Sequence, residues 1–121
     1  MPTINPTIEG RKPNDVSFPG ESSCVTWSAL GNGDAGAPIE FGAYTDRTIQ
    51  FHGIFGAGGT VVFEGSNDGA NWVTLTDPQG NPITKTSAAL EAVSEATRFV
   101  RPRITGGDGS TSITAVLFMR G

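Results

Sequence analysis

This sequence predicts an all-β fold, a single sandwich or jelly-roll-like domain behind an extended N-terminal arm, on three observations. Seventeen glycines and eight prolines stand in 121 residues, which excludes long helical bundles and coiled coils. About seven or eight short apolar or alternating segments recur roughly every ten residues, separated by glycine-rich turns, the spacing of a sandwich. The last segment, Ser112–Met119, is apolar on both faces, so it is expected to be buried on both sides or to lie under a partner subunit. No strict repeat accompanies these segments, which argues against a propeller or solenoid.

Residues 1–22 read as the arm. Prolines at 2, 6, 13 and 19 push the residues before them into extended conformations. The apolar residues Ile4, Ile8, Val16 and Phe18 are single and follow no period of 2 or 3.6. Such spaced anchors suit an arm lying along a neighbour.

The sandwich domain spans residues 23–121. Ser23–Leu30 alternates Val25, Trp27 and Ala29 against Cys24, Thr26, Ser28 and Leu30. A loop over residues 31–38 leads to a short strand, Ile39–Tyr44. Arg47–Phe55 sets Ile49, Phe51 and Phe55 against Thr48, Gln50, His52 and Ile54. After the turn at residues 56–59 comes Thr60–Gly65, then the tight turn Ser66–Gly69 and a return strand, Asn71–Leu75. Asp-Gly between two strands signals a hairpin, because glycine supplies the positive φ that the turn needs. A further turn covers residues 77–82. Ser87–Glu95, with Ala88, Ala89, Leu90, Ala92 and Val93, predicts the one helix, about two turns long and capped by Ser87. Thr97–Ile104 is a strand whose Pro102 predicts an edge position or a bulge. Gly106–Gly109 turns the chain into the last strand.

The net charge is −4, which argues against a protein that grips duplex nucleic acid through a basic face. Arg98, Arg101 and Arg103 form the one dense basic cluster, two of them on one face of a strand, where they are expected to meet Asp or Glu on a neighbour rather than nucleic acid. One cysteine, Cys24, excludes an intrachain disulfide and reads as a small buried residue. His52 is the sole histidine, and neither a hydrolytic triad nor a histidine–cysteine metal site can be assembled around it. Asp34, Asp68 and Asp108 each sit in a glycine-rich turn, where a carboxylate bonds its own backbone. Gly56-Ala57-Gly58-Gly59-Thr60 leads into a strand, so it is a hairpin connection and not a phosphate loop. No catalytic set, cofactor or metal site is expected. The first residues lack the apolar core of a secretory leader, and no run is long enough for an apolar membrane helix.

The string Phe63-Glu64-Gly65-Ser66-Asn67-Asp68-Gly69-Ala70-Asn71-Trp72 resembles the hairpin of discoidin-like and galactose-binding-like sandwich modules, where it is largely a fold element. Over about residues 47–121, the order of strands and turns resembles the small β proteins of tailed-phage structural modules, among them capsid decoration, or cement, proteins. That order includes Arg98-Phe99-Val100-Arg101-Pro102-Arg103 and Gly106-Gly107-Asp108-Gly109. The resemblance implies a virion protein on the outside of an assembled capsid, made in the host cytoplasm. It would bind the major capsid protein and copies of itself, as a dimer or trimer, with no nucleic acid and no membrane. Ile4, Ile8 and Phe18 of the arm, with Arg98, Arg101 and Arg103, are the expected partner contacts. Two alternatives stand beside this reading: a carbohydrate-binding module using Trp27, Tyr44 and Trp72, and a head–tail joining or tail-tube protein.

Overall fold

A computed structural model of the chain describes residues 3–11, 22–40 and 45–120. Twelve strands and no helix are found among them. In chain order these are β1 (Thr3–Ile4), β2 (Thr7–Arg11), β3 (Ser22–Leu30), β4 (Ala35–Gly36), β5 (Ile39–Glu40) and β6 (Asp46–Ile54). Then follow β7 (Thr60–Ser66), β8 (Val73–Thr74), β9 (Thr84–Lys85), β10 (Ala89–Ala92), β11 (Phe99–Gly106) and β12 (Ser112–Arg120).

Two sheets form a β-sandwich. One is five-stranded in the order β10-β6-β12-β3-β2. The other is seven-stranded, with the path β1-β4-β11-β7-β8, β5 paired to β11 and β9 paired to β7. Their inner faces supply the alternating apolar residues. Val25, Trp27, Ile49, Phe51, Ala115, Leu117 and Met119 come from the first sheet, and Val61, Phe63, Val100 and Ile104 from the second, all nearly inaccessible to solvent. Each Val, Leu, Ile, Phe or Met among them contributes about 1.5–3 kcal/mol by leaving water. Trp27 is the largest fully buried side chain, and its Nε1 donates to the Ala37 carbonyl at 3.0 Å. Gly36 makes room for it: a Cβ there would lie 2.6 Å from the indole.

Several sequence expectations change in the structure. Ser87–Glu95 is not a helix, and its centre is β10, paired antiparallel with β6 from Ala89↔Phe51 to Ala92↔Thr48. The local preference of Ala-Leu-Glu-Ala for helix gives way to the open edge of β6, whose backbone groups need a ladder. The last strand, β12, is buried on one face only. Its other face carries half-buried Thr114 and Val116 and an exposed Phe118. Pro102 lies at neither an edge nor a bulge. Its strand β11 is bracketed by β7 on one side and by β4 and β5 on the other. The missing N–H is tolerated because pairing on that second side passes from Val100↔Ile39 to Arg103↔Ala35, so Pro102 falls in the gap. The register shift in β11 comes later, between Ile104 and Gly106. Of the expected strand at residues 39–44, Ile39–Glu40 is present, and residues 41–44 lie outside the described residues.

The described part of the expected arm is extended and lies on the chain's own sheets. Strand β1 pairs in parallel with β4, and β2 pairs antiparallel with β3 as an edge of the five-stranded sheet.

Candidate functional site: the two outer sheet faces

Each sheet turns one face to the core and the other outward, and the two outward faces differ in chemistry. On the seven-stranded sheet, β7 and β11 place Glu64 directly opposite Arg101, with Arg103 one step along on the same face. Both guanidiniums converge on one carboxylate. Arg101 Nε donates to Glu64 Oε1 at 2.9 Å, Arg103 Nε to the same oxygen at 3.0 Å, and Arg103 Nη2 to Oε2 at 3.2 Å. The Glu64 side chain is only 4% exposed, and those of Arg101 and Arg103 are 23% and 33% exposed. The buried carboxylate is thus compensated by two cations, and the cluster carries one net positive charge. Trp72, returning from the Asp-Gly hairpin, lies 4.1 Å beneath the Arg101 guanidinium. Arg101 is fixed by stacking and by its Nε, while its two Nη atoms make no hydrogen bond among the described residues. Arg98 pairs with Glu40 and lies 4.8 Å over the Phe99 ring.

The arginines do meet acidic side chains, and these are Glu64 and Glu40 on neighbouring strands of the same chain. Glu64 is not among the expected site residues, and Trp72 is expected only in the carbohydrate-binding alternative. The signal for Glu64 was a carboxylate in an otherwise apolar strand, next to a strand bearing two arginines. Trp72 stacks on Arg101 of β11, the next strand but one from its own side of the hairpin.

The outward face of the five-stranded sheet is uncharged through its centre. Strand β6 presents Thr48, Gln50 and His52, β12 presents Thr114, Val116 and Phe118, and β3 presents Cys24, Thr26 and Ser28. Leu90 and Ala92 of β10 continue it on one side. Phe118 is 39% exposed and Leu90 64%. Among the described side chains, charges on this face appear only around its rim, as Glu9 on β2 and the Asp46–Arg120 pair at one end of β6 and β12. Beside Phe118 an open groove of about 340 Å³ is lined by Asp46, Arg47, Thr48, Ala92, Phe118 and Arg120. Arg47 itself is buried and donates through Nη1 to the Thr97 carbonyl at 3.0 Å, and burial lowers its pKa.

The arm anchors are scattered. Ile4 packs half-buried against the chain's own core, Ile8 is 55% exposed on edge strand β2, and Phe18 lies outside the described residues. Cys24 is half-buried on the outward face and not in the core. Burial, and then the charge of Glu9, push its thiol pKa up, so it stays protonated at neutral pH. His52 is exposed on the same face.

The turn aspartates do what their positions predict. Asp34 accepts from the Gly31 N–H at 2.8 Å. Asp68 accepts from the Ala70 and Asn71 N–H groups and from Ser66 Oγ, each at 2.8 Å, bonds that hold its pKa far below the usual carboxylate range. Asp108 ties two turns together. It accepts from Ser110 in its own turn and from the Ala57 N–H of the turn before β7, and these bonds lower its pKa to about 2. No cluster of three or more potential metal ligands occurs among the described residues, and no helix there is long and apolar enough to cross a membrane. What the two faces offer is binding chemistry: fixed cationic donors on one side and an uncharged, partly apolar plate on the other.

No protein-family model matches the chain, and no curated protein matches it in sequence. Solved structures also align with the chain. The SPBc2 prophage-derived protein YomS aligns with a TM-score of 0.63 at 9% identity, over 83% of this chain and 95% of that one. The K1 cleaved adhesin domain of Lys-gingipain from Porphyromonas gingivalis W83 aligns over 98% of this chain and 83% of that one, at 13% identity and a TM-score of 0.44. The K2 adhesin domain aligns at 10% identity and a TM-score of 0.42, over 83% and 64% of the two chains. The first of these shares the sandwich architecture.

Proposed function

We propose that this chain is a structural protein of a phage particle, which binds the outside of the assembled shell and stabilises it by bridging major capsid protein subunits. The observation that carries the reading is the pair of outward faces of unlike chemistry on one rigid sandwich. A bridge needs two separate recognition surfaces held at fixed separation, and a sandwich supplies them with little ordering cost. The Arg101–Arg103 cluster, pinned by Glu64 and Trp72, is the surface for acidic groups of a shell subunit. The prophage origin of a protein with the same fold supports this choice over an unrelated binding module.

The mechanism is mass action. A protein that binds only the assembled shell stabilises it by RT ln(1 + [L]/Kd) per site, about 2.7 kcal/mol at one hundred times Kd. The test compares particles stripped of this protein with the same particles after it is added back. Added protein should raise the temperature of genome release, and Arg101→Ala should bind the shells more weakly. Equal release temperatures with and without bound protein would remove the reading.

A carbohydrate-binding role is the second reading, and one observation favours it. Trp27 is fully buried, but Trp72 keeps part of its ring exposed beside the Arg101 fork. A glycan array would show hits that Trp72→Ala abolishes if this reading is right.

A further inference from the structure

The five-stranded face has the anatomy of a protein interface and the symmetry to match a second copy of itself. Between the two edge strands, the outward residues of β6, β12 and β3 carry a fixed charge only at one end, where Asp46 of β6 pairs with Arg120 of β12, two residues beyond Phe118. Among the described side chains, charge on this face is confined to the rim, at Glu9 and at Asp46–Arg120. An uncharged centre inside a charged rim separates interface cores from ordinary solvent-facing surface.

Strand β12 is the third of the five, and its outward residues Val116 and Phe118 make it the apolar seam of the face. Thr, Gln and His lie on one side of that seam and Cys, Thr and Ser on the other. A twofold axis running along β12 would lay β12 on β12 and β6 of one copy over β3 of the other, and would bring the two Arg120 side chains together at one end, each already paired with Asp46 of its own chain. The face also carries both a knob, Phe118, and the groove beside it. Under that axis Val116 and Phe118 of one copy meet the same residues of the other, which is the self-complementarity that an isologous contact requires.

The size fits as well. Strand spacings of about 4.8 Å and about 3.4 Å per residue give the face roughly 600 Å² of projected area per copy. Side-chain relief raises the accessible area above this, toward the roughly 800 Å² per partner of a standard interface.

We infer that the five-stranded face is a homodimer interface, with the twofold axis along β12 and Phe118 as its anchor. Two sandwiches joined back to back turn their Arg101–Arg103 faces in opposite directions, so one dimer presents two equal sites for bridging. The inference deepens the shell reading: it gives the second of the two recognition surfaces to a second copy, so that the bridge is made by the dimer. A monomer in solution would overturn the dimer and leave shell binding to be judged on particles.

The test is sedimentation of the full chain in solution at micromolar concentration. A dimer is expected, and Phe118→Glu should weaken it at least tenfold while leaving far-ultraviolet circular dichroism unchanged. A second variant fixes the axis and does not depend on that charge. With Cys24→Ser removing the native thiol, Val116→Cys should form an interchain disulfide on mild oxidation, because the two Val116 positions face each other across the axis. A monomeric or trimeric wild type, a dimer indifferent to Phe118→Glu, or a Val116→Cys dimer that does not cross-link would each overturn the assignment.

Discussion

At the scale of single residues, turn carboxylates do much of the local ordering. Asp108 is the clearest, because its oxygens join the Gly106–Ser110 turn to the Ala57 N–H at 2.9 Å, across 51 residues of sequence. Hydrogen bonds from Ser110 and Ala57 favour the charged form and lower its pKa to about 2, from an ordinary value of 3.8. A carboxylate with a depressed folded pKa contributes stability that is fully present above its unfolded pKa and lost as pH falls through its folded pKa. The loss therefore falls between about pH 4 and pH 2. Asp108→Asn should melt lower than wild type at pH 7 and converge with it by pH 2. Melting temperatures taken across that range check this, and parallel curves would show that the bonds are not coupled to protonation. The positions of Asp34, Asp68 and Asp108 in glycine-rich turns were enough to read this role from the sequence. The roles of Glu64 and Trp72 were not legible there, because each depends on which strand lies next to which. Arg101 and Glu64 are 37 residues apart in the chain and directly opposed in the sheet.

At the scale of elements, the strands with strict alternation were legible and the ones defined by pairing were not. The expected strands at residues 23–30, 47–55, 60–65 and 112–119 match β3, β6, β7 and β12 to within a residue or so, because each alternates one buried apolar set with a more polar set. Strand β10 reads locally as helix and exists because β6 has an open edge. The described parts of the first 22 residues lack periodicity for a similar reason: β1 and β2 are short edge strands set by neighbours and not by an amphipathic pattern. The bulge in β3 was also invisible. Between Ile113 and Ala115 the β12–β3 register shifts, and the extra residue, Ala29, takes φ +56° with its N–H donating to Thr114 Oγ1 at 3.3 Å. A left-handed conformation costs a residue with a Cβ roughly 1–2 kcal/mol, whereas glycine's extra freedom in the unfolded chain costs roughly 0.4–1 kcal/mol. Ala29→Gly should therefore raise stability by about 0.5 kcal/mol, and Ala29→Val should lower it by more than 1 kcal/mol, since branching at Cβ worsens the same clash. Urea unfolding at constant m-value measures both, and a less stable glycine variant would show that Ala29 is not strained.

At the scale of the whole molecule, the sandwich separates two kinds of attraction onto opposite sides, and ionic strength can tell them apart. Attachment through Arg101 and Arg103 draws on charge at a partly exposed surface, which salt screens: the Debye length falls from about 10 Å at 0.1 M to about 3 Å at 1 M. Pairing through Val116, Phe118 and their uncharged neighbours draws on apolar burial, which such screening does not weaken. If the two faces work as proposed, raising sodium chloride from 0.1 M to 1 M should release the protein from shells while leaving the released protein dimeric. Pelleting of particles reads the first effect, and sedimentation of the supernatant reads the second. Release as monomer would mean that the charged rim holds the dimer, through groups such as Asp46 and Arg120. Retention at 1 M salt would mean that the apolar face and not the arginine face grips the shell, and the two roles would then have to be exchanged.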